Sequence, residues 1–131
     1  MEIIVSLSLL AMISSLIFFS FNSLNNIQSL NKQVDFIKSS INQTRLNAVN
    51  SKNVVNQSIR FSTNSITYDD KIINLESNIS LMSNNTGTTT IYFSRISGFP
   101  SATGTLVYKL HKGSTVIATS SIIINNLGII E

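Results

Sequence analysis

The chain has 131 residues, of which 43% are hydrophobic and 11% charged, and its net charge is +3. High apolar content with small net charge excludes a disordered chain, and a charged share well below the usual quarter, about 25%, marks a surface of uncharged polar groups. Cysteine is absent and His111 is the single histidine, which excludes disulfide frameworks, thiolate chemistry and paired-histidine metal motifs. A Ser-His-Asp triad would have to use His111, and nothing around that residue resembles a nucleophile elbow. No enzyme activity, cofactor or metal is expected. The Lys and Arg residues form no cluster, so no specific nucleic acid is expected either.

The first element is apolar. Ile3 to Phe21 is a run of nineteen residues without charge, Pro or Gly. As a helix it spans about 28 Å, close to a bilayer core. Its five serines are tolerable, because a serine hydroxyl can return to a carbonyl one turn back. No basic stretch precedes the run and no small-x-small site ends it, so a cleaved secretory signal fits poorly. A run apolar on all sides also fits poorly as a core helix of a small domain. A membrane anchor fits, and so does an anchor that also assembles with copies of itself.

Glu2 bears on that choice. It is the only ionisable side chain before Lys32. A carboxylate at the mouth of an apolar helix is costly in lipid unless neutralised or paired. In one reading it lies at the headgroup level and favours the helix N-terminus through the dipole. In the other it pairs with a cation of another chain, the nearest candidate being a neighbour's terminal amine.

The second element continues the first. Leu24, Ile27, Leu30, Val34, Ile37, Ile41, Thr44 and Ala48 recur at spacings of three and four, which makes one apolar stripe on a polar helix. No Pro or Gly occurs before Gly87. The pattern predicts one helix from about residue 2 to about residue 52. Its stripe is expected to pack on a C-terminal sheet, with a coiled coil to another copy as the alternative.

A glutamate, about nineteen apolar residues and a following amphipathic helix together resemble the type IV pilins and pseudopilins. In that family the glutamate lies a few residues after a prepilin-peptidase cut that follows a glycine, and the new N-terminal residue is N-methylated. Met1 alone precedes Glu2 in this sequence. The stretch Thr44-Arg45-Leu46-Asn47-Ala48-Val49-Asn50-Ser51-Lys52-Asn53-Val54-Val55 is similar to the helix end of GspH/FimT-type members, an Ala-Arg-x-x-Ala-hydrophobic run before a basic residue and the first strand. Arg45, Ala48, Val49, Lys52 and Val55 match that run, and Thr44 replaces its first alanine. Phe93 to Tyr108 and Ile122 to Ile130 resemble the same group's glycine turns and closing strands. The resemblance implies assembly into a helical filament, a prepilin peptidase and an ATPase-driven assembly machine as partners, the inner membrane as the precursor's site and the cell surface as the filament's.

From Val54 the period shifts to two. Strands are expected at Val54–Phe61, Ser65–Tyr68, Lys71–Leu75, Thr88–Phe93, Thr105–His111 and Thr115–Ile124, with a tail at Ile129–Glu131. Turn signals separate them at Asp69-Asp70, Asn84-Asn85-Thr86-Gly87, Gly98-Phe99-Pro100, Gly113-Ser114 and Asn125-Asn126-Leu127-Gly128. Mostly short connections predict an antiparallel meander. Asp69-Asp70 reads as solvated turn residues rather than a cation site. Tyr92, Phe93 and Tyr108 read as core and cross-strand pairs rather than a ligand platform. The Asn-x-Ser/Thr tripeptides at Asn42, Asn56, Asn78 and Asn84 suit a composition rich in Asn and Ser and assign no glycan.

These elements predict an α+β, pilin-like fold: a long N-terminal helix, apolar then amphipathic, packed on an antiparallel sheet. The expected segments are a membrane or filament-core helix at 1–24, an amphipathic half-helix at 25–53 and a β-rich head at 54–131, with 25–131 one folding unit. The expected function is a structural subunit of a type IV pilus-like filament. Glu2, Leu10, Ile17, Phe18 and Phe21 would make its assembly contacts, and Val34, Ile37, Ile41 and Ala48 would pack the helix on the head. The alternatives are a minor pseudopilin of a secretion system and a monomeric, membrane-anchored β-domain that binds a ligand.

Overall fold

A computed structural model describes residues 2–50 and 57–131, with side chains at all of them except 2 and 18–23. It is α+β. Helix α1 covers Glu2–Val49, 48 residues or about 72 Å by the rise per residue. Seven strands follow: β1 (Gln57–Phe61), β2 (Ser65–Tyr68), β3 (Lys71–Asn74), β4 (Ile79–Asn84), β5 (Thr90–Phe93), β6 (Gly104–Lys112) and β7 (Thr115–Ile124).

The sequence explains how α1 persists through so many serines. Hydroxyls of Ser8, Ser14, Ser15, Ser40 and Thr44 donate to carbonyls three or four residues back, so these residues satisfy themselves within the helix. At its C-terminus Asn50 N–H donates to the Leu46 carbonyl, and Ile96 N–H, from the loop after β5, donates to the Ala48 carbonyl at 3.4 Å. That loop thus satisfies a carbonyl the helix leaves open. The helix expected to about residue 52 ends at Val49, and residues 51–56, including Lys52, Val54 and Val55, lie outside the described residues.

The strands form two antiparallel sheets, ordered β3-β2-β1-β5 and β4-β6-β7. A single meander is therefore not what forms. β1 pairs with β2 beside it in sequence and with β5 on its other edge, Ile59 opposite both Tyr68 and Ile91. β4, which lay outside the expected strands, crosses to β6, with Ile79 opposite Leu110 and Leu81 opposite Tyr108. Its signal is brief because the register shifts between Leu81 and Ser83, and the alternation Ile79-Ser80-Leu81 stops at exposed Met82. The other strands lie within a few residues of their expected bounds. The expected tail at Ile129–Glu131 makes a single bridge, Ile130 to Ile124.

Two turns follow from local chemistry. Asp69 and Asp70 have φ of 50° and 59° and link β2 to β3, the positive-φ pair that a two-residue hairpin needs and that short polar side chains tolerate. Gly104 opens β6 at φ 151°, and a Cβ there would lie 2.5 Å from the Asn85 carbonyl oxygen. No other residue fits that approach.

Both sheets and the helix share one core. Leu30, Val34, Ile37, Ile41 and Ala48 are buried in one cluster with Ile59, Phe61 and Phe93 of the first sheet and Leu106, Tyr108 and Ile122 of the second. Helix α1 touches β1, β2, β5, β6 and β7. The stripe is buried from Leu30 onward and half-buried at Ile27, whereas Leu24 is 56% exposed. Glu76 ties the β3–β4 connection to the helix by accepting hydrogen bonds from Ser29 and Gln33. Tyr108 is fully buried, and its hydroxyl has no hydrogen-bond partner among the described residues. Burial raises its pKa well above the usual phenol range.

Ile37 and Ile41 have no solvent exposure. Ile37→Ala or Ile41→Ala in the full chain should each cost about 2–5 kcal/mol, from lost transfer energy plus the cavity left behind. A urea titration measures this, and a change below about 1 kcal/mol at both sites would contradict the packing described here.

Candidate assembly surface

The described side chains of α1 fall into two stretches with opposite surroundings. From Leu30 on, the stripe faces the core and most polar residues face outward. From Ile3 to Ile17 all described side chains are exposed. Ile3, Ile4, Leu7, Leu10, Met12 and Leu16 are each 65–77% exposed, and Ile13 and Ile17 are about half exposed. Hydroxyls of Ser8, Ser14 and Ser15 are already bonded to the helix itself. The surface this arm offers is therefore apolar on every side, with little polar bonding capacity left.

Such a surface in water is far larger than the few hundred Å² that a monomeric protein exposes as one patch. It is stable only in lipid or against other apolar surface. Among the described residues no helix is long and apolar enough to cross a membrane. The expected apolar run reaches Phe21, however, and its last four residues, 18–21, are among those whose side chains are not described.

Of the expected assembly residues, Leu10 and Ile17 are exposed, 65% and 51%. The side chains of Glu2, Phe18 and Phe21 lie outside the described residues. Of the expected packing residues, Val34, Ile37, Ile41 and Ala48 all lie in the core, at most 3% exposed. Leu10 and Ile17 thus lie on an exposed segment of α1, and Val34, Ile37, Ile41 and Ala48 on a buried one.

Arg45 marks a feature of the helix end that its spacing did not reveal. Its Nη2 donates to the Leu127 carbonyl at 3.1 Å, and its Nε is buried without a partner. A Cβ at Gly98 or Gly128 would press on the Arg45 side chain. The two glycine turns thus close over this arginine and bring the loops after β5 and β7 together at the end of α1. Around them Leu46, Ile96, Phe99, Leu127 and Ile129 are exposed. Ile96 holds a φ of 70°, a conformation rare for a β-branched residue.

The remaining chemistry-bearing residues are scattered. His111 lines an open cleft of about 420 Å³ with Asn26, Ser77, Asn78, Lys112 and Ile117. A second cleft of about 410 Å³ carries Arg60, Ser62, Thr63 and Asn84 at the seam between the sheets. Among the described residues no three His, Asp or Glu side chains gather as a metal site. Phe93 and Tyr108 are buried in the core, and Tyr92, 49% exposed, makes a cross-strand pair. It lies opposite Ser58 with its side chain on the outer face of the first sheet. Comparison with family models, with curated proteins and with solved structures finds no match to this chain.

Proposed function

We propose that the chain is a structural subunit of a helical filament of the type IV pilus class. The observation that carries this reading is the exposed apolar arm at Ile3–Ile17, continuous along one helix with the stripe that packs the head. A bundle of such arms buries their apolar surface, and each buried Leu, Ile or Phe is worth about 1.5–3 kcal/mol relative to water. Transfer from lipid to a bundle gains far less, since lipid tails are as apolar as leucine. Extraction from the membrane therefore calls for an external motor, in line with the ATPase-driven machine that the resemblance implies. The head, uncharged-polar over much of its surface, would face outward.

Glu2 sets register in this reading. A lone carboxylate within an apolar bundle is penalised, so the favoured stagger is the one that brings a neighbour's amine close. Glu2→Gln keeps the shape and removes the charge. It should leave membrane insertion intact and strongly lower the filament yield, while Glu2→Asp should assemble in part. Sheared filaments weighed against membrane-bound subunit give the answer. Equal yields for the unaltered chain and Glu2→Gln would reduce Glu2 to a marker of the lipid interface, as a monomeric anchored module requires.

A further inference from the structure

The cleft at His111 lies where the head meets the arm. On α1, Leu24 and Asn25 are exposed while Asn26 and Ile27 are half-buried, so the head begins at Asn26. Asn26 lines the cleft together with Ser77 and Asn78 from the β3–β4 connection and His111 and Lys112 from the end of β6. The β6–β7 hairpin ends beside it. Lys112 to Ile117 are all exposed, Val116 at 46% and Ile117 at 40%. The other end of the head is marked by Leu127, whose carbonyl holds Arg45, nineteen residues beyond Asn26 on the helix and about 28 Å away by the rise per residue.

Position along the helix sets the surroundings of the cleft. Asn26 follows Phe21, the last residue of the apolar run, by five residues, about 7.5 Å of helix. A bilayer carries a headgroup layer of about 5–7 Å outside each face of its hydrocarbon core. An arm that fills that core with Ile3–Phe21 therefore holds the cleft at headgroup level.

The chemistry of the cleft suits that level. Among the described residues no hydrogen bond engages the side chains of Asn26, Ser77, Asn78 or His111. Their donors are left to an opening of about 420 Å³ beside the Lys112 cation. The carboxylate of Glu76, on the same β3–β4 connection, accepts instead from Ser29 and Gln33, three and seven residues farther from the arm than Asn26. Val116 and Ile117 set exposed aliphatic side chains near a cation on a long apolar stem, a combination favoured at a membrane interface.

We infer that this cleft binds the phosphate of an anionic phospholipid in the leaflet from which the head emerges, with Lys112 as its counter-charge and Asn26, Ser77 and Asn78 as donors to its oxygens. Anionic headgroups attract cations placed just outside the hydrocarbon. Such binding rests on the membrane-inserted state of the subunit proposed above and goes beyond it in naming the lipid. It fixes how the head is turned about the helix axis, because one side of the head carries the cleft, and it is broken when the subunit leaves the membrane.

The absence of cysteine allows one fluorescent label per chain. Full chains labelled at Ser114→Cys, in the hairpin, or at Asn126→Cys, at the far end of the head, are reconstituted into phosphatidylcholine vesicles that contain a lipid with a nitroxide on its headgroup. Quenching at Ser114 should exceed that at Asn126 by about threefold or more, since about 28 Å of helix separate the two ends. Equal quenching overturns the placement. Replacing part of the phosphatidylcholine with phosphatidylglycerol should raise quenching at Ser114 about twofold. Lys112→Gln should remove that rise, and Lys71→Gln, the same loss of charge at an exposed site of the first sheet, should keep it. No rise, or its loss in both variants, overturns the lipid assignment. Inorganic phosphate is the other source of the same group. Slower amide exchange at His111–Gly113 when it is added to the chain in detergent, with no effect of phosphatidylglycerol in vesicles, would assign the cleft to free phosphate and overturn the lipid. Flotation of the vesicles separates the two readings. A chain that fails to float with them refutes the arm as a membrane element, whereas a chain that floats with Ser114 unquenched refutes the lipid contact alone.

Discussion

Replacing Leu10 or Ile17 with lysine should abolish filaments and leave the head's stability unchanged. Both side chains are exposed on the arm, clear of the head. Each substitution removes the burial of a large aliphatic side chain, worth about 1.5–3 kcal/mol, and adds a cation to an apolar environment, which costs about 2.5–3.5 kcal/mol more at the centre of a bilayer. In a helical assembly every subunit carries the same defect, so the loss repeats along the filament. Electron microscopy of sheared surface material reads the first effect, and thermal melting of the full chain reads the second. Normal filaments from either variant would rule out the arm as an assembly element. A lowered melting temperature would show instead that these side chains touch the head.

Deleting the amphipathic half of the helix has the second large effect. A chain from about Asn25 keeps Leu30, Val34, Ile37, Ile41 and Ala48, and a chain from about Val54 loses all five from the core. At about 1.5–3 kcal/mol for each large aliphatic side chain, that loss is comparable to the whole stability of a small domain, about 5–15 kcal/mol. It also uncovers the faces of both sheets that the helix covers, leaving strands too few to bury them. The longer version should be soluble and melt cooperatively, and the shorter should not. Circular dichroism with heating distinguishes them, and a cooperative melt from the shorter version would make the half-helix a linker.

The position of Arg45 shows where reading by spacing stops. Its place before Ala48 was legible as part of a helix-end pattern, but its role depends on Gly98 and Gly128, which approach it from loops 53 and 83 residues further along the chain. A glycine announces a turn in sequence without saying what the turn closes against. The exposed residues around this seam, Ile96 and Leu127 among them, were likewise legible only as loop residues. Tyr92 is the converse case: its strand was legible, and its outward face follows only from the register with β1.

What the sequence determined by itself is what depends on local periodicity and composition. The uncharged run after Glu2, the three-and-four stripe from Ile27 to Ala48 and most of the strands are written in the spacing of apolar residues, because a helix repeats at 3.6 and a strand at 2. The absence of cysteine and the lone histidine likewise removed whole classes of chemistry before any fold was known. What only the tertiary structure decided is which strands meet. β1 takes β5 as well as its neighbour β2, β4 leaves for the second sheet, and β7 ends that sheet. The β1–β5 and β4–β6 pairings join residues 22 to 36 apart in sequence, and their free energy comes from side chains meeting across strands and against the helix, a complementarity that no single segment carries alone.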